Sequence, residues 1–491
     1  MMNFKNFEPV PYEIHNTYHP DMREECGVCG IYNHRDASHL VYLGLTSLQH
    51  RGQESAGIVS INGKMGRHVG MGLVFDVFKK DSFQQLKGRH AVGHVRYSTT
   101  GSSMLKNAQP LLVSTPYGQV AVGHNGNFTN ADKIRKKLED SGAIFQTTTD
   151  SEVILHLIAR SKEKNLAEAI ISSLAKVEGA YSLLFASDHD SKGKEEGSII
   201  AVRDPLGFRP LFLGKMGRSW VIASETCAFD LIGAKTVREI EPGEMVVIEN
   251  NEVKSLRVAK PLPYSALCIF EFVYFARPDS KVFGQSVYRV RQDMGRQLAR
   301  EAPAPGADCV IAVPDSSVVA AIGYAKESQL PFEVGFIRSH YVGRTFIEPS
   351  KPMRDFRARV KFNPVRENIQ GKKIVLIDDS IVRGTTSKKL IRMLKGAGVK
   401  EIHMRVSSPP IIGSCYYGID TPTKSELIAS SHSVEEIRKF LGVDSLSFLS
   451  VDGLVRSTNR DPSKYCTACF TGKYPTKVNE KVAPAEKFDH L

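Results

Sequence analysis

A chain of 491 residues is longer than one ordinary core can hold, so two domains are the starting expectation. Its 42% hydrophobic and 24% charged residues are those of a globular protein, and no apolar run is long enough to span a bilayer. The formal net charge of +12 is spread along the chain without an aromatic-interleaved RNA motif, which argues against nucleic acid and for a small polyanionic substrate. Eight Cys in so long a chain do not make a disulfide scaffold; they point to catalysis or metal binding. Residues 1–25 lack the apolar centre of a signal peptide. They also carry Glu8, Glu13, Asp21, Glu24 and Glu25, unlike an acid-poor transit peptide, so the expected location is cytoplasmic.

In chain order, Cys26-Gly-Val-Cys29-Gly-Ile-Tyr opens a strand-like segment directly after Arg23-Glu24-Glu25. Taken alone, the CxxC spacing reads as a redox pair or a zinc site. A helix-like stretch, Ala37–His50, leads into Arg51-Gly52-Gln53-Glu54-Ser55-Ala56-Gly57-Ile58. His94-Val-Arg96-Tyr-Ser98-Thr99 ends a strand. Gly123-His-Asn125-Gly126-Asn127 reads by itself as a hairpin turn. Thr149-Asp150-Ser151-Glu152 opens a helix, with Asp150 as an N-cap. Helical patterns cover Ala131–Glu139, Ser151–Arg160 and Leu166–Val177. Strand patterns cover Tyr181–Ala186, Ser198–Val202, Pro210–Leu213, Val221–Ala223 and Met245–Glu249. Two stacked sheets flanked by helices suit this alternation. Lys254–Pro263, with two Pro and mixed polarity, is the expected domain boundary.

These strings, in this order, resemble the class II glutamine amidotransferases, members of the N-terminal-nucleophile hydrolases. The resemblance implies a four-layer αββα domain over residues 26–258 and removal of a propeptide, 1–25. Cys26 then becomes the terminal nucleophile, with its own α-amine as base and Arg51 nearby favouring the thiolate. It further implies that Arg96 grips the glutamine carboxylate through its guanidinium fork and that Asp150 accepts from the glutamine α-amine. Asn125 and the Gly126 N–H would serve the developing oxyanion. Cys29 then reads as a packing residue.

In the second half, Ile269–Ala276 reads as a strand and Ser286–Arg300 as a helix. Cys309-Val-Ile-Ala-Val313 is a buried strand running into Pro314-Asp315-Ser316-Ser317 and the helix Val318–Ser328. Arg338–Phe362 is basic and has no clean period, as in a mobile lid over an anionic substrate. The most specific stretch is Ile374-Val-Leu-Ile-Asp378-Asp379-Ser380-Ile-Val-Arg383-Gly384-Thr385-Thr386. A β-branched run ends at paired carboxylates, and a small-residue turn opens the helix Ser387–Lys395. Ligands of open α/β sheets bind beyond the carboxyl ends of strands. Free N–H groups at such a turn suit a phosphate, and paired Asp residues suit diol hydroxyls or a hydrated divalent metal.

This string resembles the phosphoribosyl pyrophosphate (PRPP) signature of the type I phosphoribosyltransferases, which implies a doubly wound α/β domain over 264–472. By the same resemblance Asp378 and Asp379 hold the ribose hydroxyls and Mg²⁺, Ser316 helps hold the metal, Ser380–Thr386 cradle the 5-phosphate, and Arg344 belongs to the lid. Cys268, Cys415, Cys466 and Cys469 lie in separated segments, and their spacing alone fits either zinc or an iron–sulfur cluster.

The two halves together resemble the amidophosphoribosyltransferases, in the branch that carries a 4Fe–4S cluster on Cys at these places. That resemblance implies a homotetramer inhibited by purine nucleotides. The implied reaction takes glutamine and PRPP to 5-phosphoribosylamine, glutamate and pyrophosphate, the first committed step of purine synthesis. Two rival expectations are a glutamine-dependent sugar-phosphate aminotransferase, which has no use for a PRPP loop, and a non-catalytic PRPP- or nucleotide-sensing regulator. Residues 473–491 read as a polar tail.

Overall fold

The computed structural model describes residues 26–97, 103–260, 262–339 and 362–478, so the expected propeptide, 1–25, lies outside the described residues. Cys26 leads directly into the strand Gly27–Tyr32, all of it buried. Period-two alternation sorts its side chains. Val28 and Tyr32 enter a core between two sheets, while Cys29 and Ile31 face a helix-covered side. The strand lies in a seven-stranded antiparallel sheet between Ser219–Ala223 and His90–Arg96. A second antiparallel sheet, of six strands, is built around Gly118–Phe128 and Gly179–Ser187, in register from Val120↔Ser187 to Phe128↔Gly179. Val28, Val92, Ala121, Leu184 and Ala201 meet between the sheets.

Helix Ala37–Ser47 covers the first sheet through Ala37, Val41 and Leu45. Helices Ala131–Asp140, Glu152–Ala159 and Leu166–Leu174 cover the second, with Leu138, Ile154 and Ile170 against Val122 and Leu183. This is the expected αββα stack. The stretch 254–263 begins inside it, because Glu252–Arg257 pairs as an edge strand with Glu244–Glu249.

The segment Ile269–Ala276 is not the expected strand. Its centre is a π-helical turn, Glu271–Phe275. The buried guanidinium of Arg291 accounts for the difference, since it donates to the carbonyls of Phe272 (2.7 Å), Tyr274 (2.7 Å) and Ala276 (2.9 Å). A buried cation needs several acceptors, and a wound turn gathers three carbonyls that a strand would spread apart. Propensity lost to a tertiary demand. Only Leu267–Cys268 is extended, paired in parallel with Tyr465–Cys466.

The second half contains a parallel sheet in the order Cys309–Ala312, Lys373–Asp378, Glu401–Val406, Ser445–Phe448. Val310 also bridges to Phe332 on its other side, so the chain leaves the first strand in one direction and returns in the other. Both faces are covered. Val310, Val375 and Ile377 pack with Met294, Leu298 and Tyr324 on one face. Ile311, Ile374 and Leu376 pack with Leu390, Leu394 and Ile437 on the other. The sheet is doubly wound, as expected, and its switch point is where such folds bind ligands. The lid stretch lies mostly outside the described residues, Arg344 included. Its ends, Phe336–Arg338 and Phe362–Pro364, pair antiparallel.

Candidate active site

Cys26 is buried, and its thiol reaches the Tyr97 carbonyl oxygen at 3.5 Å. Burial pushes the thiol up to about 11; Arg96 draws it down, while Asp150 and Glu54 push it up further. Cys26, Arg96, Asp150 and Glu54 are thereby gathered in one place. Arg96 lies at the end of its strand, 3.7 Å from Glu54. Asp150 accepts the Phe128 N–H at 2.8 Å, which ties it to the strand Gly118–Phe128.

Asn125 and Gly126 lie inside that strand rather than in a hairpin turn. The Asn125 side chain is fully buried, and among the described residues neither its Oδ1 nor its Nδ2 has a hydrogen-bond partner. An amide left unpaired in this way costs stability and needs a functional reason. Gly126 has φ 145°, and a Cβ there would sit 2.1 Å from the Ala180 carbonyl oxygen, so only glycine fits.

Arg51 is also buried, but its contact with Cys26 is to the backbone: Nε donates to the Cys26 carbonyl at 3.1 Å. Its other nitrogens donate to Glu225 (2.6 Å) and Glu271 (2.7 and 2.9 Å). The leading cation acting on the thiol is Arg96. Glu225 is fully buried, which opposes its charge, yet His50 and Arg51 hold it well below the usual carboxylate range.

At the switch point of the parallel sheet, Asp378 ends its strand and Asp379 follows, both buried. Ser316, from the loop after the neighbouring strand, donates to Asp379 at 2.5 Å, and Ser380 donates to the same carboxylate at 2.7 Å. Ser317 and Ser387 donate to Asp378 at 3.4 and 3.3 Å. Burial raises both carboxyls, and Asp379 raises Asp378 further. Gly384 caps the helix Thr385–Gly396 with φ 73°, so the chain enters that helix through a left-handed residue. Arg383 extends to Glu426, Nη2 to Oε1 at 2.8 Å, instead of toward this turn.

Cys268 and Cys466 are register partners in their short parallel ladder, and Cys469 lies one turn on. Burial raises Cys466 and Cys469, and the neighbouring thiols, Cys268 and Cys415 among them, raise both further. The Tyr417 N–H points at Cys415 Sγ, 3.3 Å away. The backbone amides of Phe270, Ala468 and Cys469 lie against the sulfurs of Cys268, Cys466 and Cys469. Among the described residues, no three His, Cys, Asp or Glu side chains are grouped so as to hold one metal ion.

A family model for the glutamine amidotransferase domain matches residues 94–230. Amidophosphoribosyltransferase 1, chloroplastic, of Arabidopsis thaliana is 51% identical over 96% of this chain and 82% of its own length. The amidophosphoribosyltransferase of Bacillus subtilis is 49% identical over 93% of this chain and 95% of its own. The chain belongs to the amidophosphoribosyltransferase family. In three dimensions it is similar to glutamine PRPP amidotransferase from B. subtilis complexed with ADP and GMP. That likeness has a TM-score of 0.87 at 47% identity, over 93% of this chain and 99% of that one. A structure described as the allosteric regulatory enzyme of purine biosynthesis matches with TM-score 0.89 and 47% identity, over 95% of this chain and 100% of the other.

Glu225, Glu271, Arg209, Ser317 and Ser387 stand around these sites without having been singled out by sequence reasoning. Glu271 meets Arg51 across 220 positions, and no local signal carries such a pairing. Ser317 and Ser387 stood within the quoted turns and had the oxygen chemistry, but only the fold brings both to Asp378.

Proposed function

We propose that Cys26 releases the glutamine amide nitrogen for this chain's family reaction, in which glutamine, water and PRPP give 5-phosphoribosylamine, glutamate and pyrophosphate at the first step of purine synthesis. The observation that carries the reading is the buried amide of Asn125, without a partner among the described residues, on the strand that also anchors Asp150. A thiol pushed up to about 11 is protonated at neutral pH, so it needs a base before it can attack. Removal of residues 1–25 would free an α-amine on Cys26 itself to take that proton. Arg96 and Asp150 would hold the two ends of the glutamine backbone. As the thiol adds to the amide carbon, Asn125 Nδ2 and the Gly126 N–H donate to the oxygen that becomes negative. The α-amine returns the proton to the leaving nitrogen, ammonia departs as the C–N bond breaks, and water then clears the thioester to give glutamate and the free thiol.

In the second half, Asp378 and Asp379 would hold the ribose hydroxyls and the Ser380–Thr386 turn the 5-phosphate, under a lid containing Arg344. Buried paired carboxylates and the Ser316 hydroxyl are hard oxygen donors that fit Mg²⁺, an ion that takes one or two carboxylates and completes its shell with phosphate and water. When bound, the ion offsets charge on the departing pyrophosphate. The protein's own work is to align ammonia with ribose C1 and to keep water out.

The four thiols with amides against their sulfurs support a 4Fe–4S cluster. Such a cluster spreads its ligands over four irons, so three side chains need not converge on one ion. The B. subtilis amidotransferase complexed with ADP and GMP supports purine nucleotides as inhibitors of this chain too. Assembly as a homotetramer, a cytoplasmic location and the division at 26–258 and 264–472 belong to the same proposal. Among the described residues no helix is long and apolar enough to cross a membrane.

The test is pyrophosphate release from PRPP with either glutamine or ammonium as nitrogen donor. Cys26→Ala should lose the glutamine-dependent rate and keep the ammonium-dependent one. Glutamine-dependent turnover by Cys26→Ala would overturn the reading, and absence of turnover by the processed parent would favour a regulator.

A further inference from the structure

The turn Tyr416–Gly418, from the second half of the chain, is seated on the strand that carries Asn125 and Gly126. A Cβ at Gly418 would lie 2.8 Å from both the Cα and the carbonyl carbon of Gly126, so the two backbones touch with no side chain between them. One residue on, Asn127 Nδ2 donates to the Tyr416 carbonyl at 2.9 Å. Arg209 grips the same turn, donating from Nε and Nη2 to the Tyr417 carbonyl at 3.2 and 2.8 Å. The Tyr417 ring stacks on Phe208, with centroids 4.2 Å apart. Arg209 also lies 3.7 Å from Glu271, which binds Arg51, which in turn holds the Cys26 carbonyl. Arg209, Glu271 and Arg51 are all fully buried. One turn therefore connects to the oxyanion strand by direct contact and to the backbone of the nucleophile through three buried ions.

We infer that Gly418 and the Tyr416–Gly418 turn are the positioning wall of the oxyanion site, so that the amidotransferase half is completed by the other half of the chain. The inference rests on the reading of Cys26, Asn125 and Gly126 given above and goes beyond it. Its physical ground is the freedom of glycine. Gly126 has no Cβ to brace its backbone at the unusual φ it adopts within the strand, and a donor that shifts stabilises developing charge poorly. Gly418 braces that backbone from the other side of the Cα, lying against the Cα, carbonyl carbon and oxygen of Gly126, and so holds the residue whose N–H faces the site. The contact tolerates no added atom, and φ at Gly418 is 103°, so glycine is required on both counts.

The test uses the full processed enzyme carrying Gly418→Ala and, separately, Arg209→Gln, which removes the hold on the Tyr417 carbonyl. Glutamate release from glutamine and ammonium-dependent pyrophosphate release are measured side by side. The expected result for Gly418→Ala is a fall of about a hundredfold in kcat for glutamate release, with KM for glutamine within about threefold and ammonium-dependent turnover within about twofold of the parent. Arg209→Gln should move the same way by about tenfold. An unchanged glutaminase kcat in both variants would overturn the inference, as would an equal fall in both activities, which marks a merely structural role. If Gly418→Ala does not fold, Arg209→Gln decides alone by the same split. Absence of glutamate release by the parent would instead sink the reading of Cys26.

Discussion

The adjacent carboxylates Asp378 and Asp379 set the chemistry of the second site at the scale of single residues. Both are buried, and burial holds both above the ordinary carboxylate value of 3.8. The unfolded chain gives up these protons near that value, while the folded chain keeps them to higher pH. Across that window the folded state binds more protons, so the stability of ligand-free protein falls as pH rises and the loss is complete above the raised values. Asp379→Asn should therefore raise the unfolding temperature of ligand-free protein at neutral pH by roughly 2 °C or more while abolishing PRPP-dependent turnover. Thermal scans across pH check it: a neutral-pH melting temperature below that of the parent would contradict it. These residues were legible because strand, acid pair and turn follow one another in sequence. The pairing of Arg51 was not. Its charge looked available to Cys26, and only the fold shows it engaged by Glu225 and Glu271, 174 and 220 positions away.

Among the elements, the helix Thr385–Gly396 depends on Gly384 at φ 73°, a conformation that costs any other residue about 1 kcal/mol or more. A Cβ at Gly384 would also come within 3.3 Å of the Phe440 ring. Gly384→Ala should turn the first N–H groups of this helix away from the phosphate and raise KM for PRPP by about tenfold, leaving glutamate release untouched. An unchanged KM would detach this turn from phosphate binding. Strands whose residues alternate or run apolar were legible to within a residue or two, as at Ser219–Ala223 and Lys373–Asp378. The segment Glu271–Phe275 was not, because its aromatic and β-branched residues favour a strand and its winding answers to Arg291, sixteen positions beyond Phe275. Asn125-Gly126 taken alone carries strong turn chemistry, yet the pair lies within a long strand, so the dipeptide had to be read together with the strings around it.

For the whole molecule, the decisive region is where Leu267–Cys268 and Tyr465–Cys466 pair and Cys415 approaches. The proposed cluster, if held there, would tie the segment around Tyr465–Cys469 to the start of the second half. Protein purified without oxygen should be brown, with about four irons per chain, and stripping the iron should lower the unfolding temperature and expose the segment from Tyr465 onward to proteases. Colourless protein with one zinc, or an unfolding temperature indifferent to iron removal, would count against the cluster.

The core explains why the ends of this molecule depend on each other. Cys29, Val41 and Phe229 belong to the same continuous apolar cluster as Phe270, Met294, Tyr324 and Leu454. Among the described residues, this cluster runs without a break from the glutamine amidotransferase half into the parallel-sheet half. A hinge that opened between them would have to expose this cluster, at a cost of about 25 cal/mol for each Å² of apolar surface bared. For the same reason, a gene cut near codon 260 should yield two sticky fragments rather than two working enzymes.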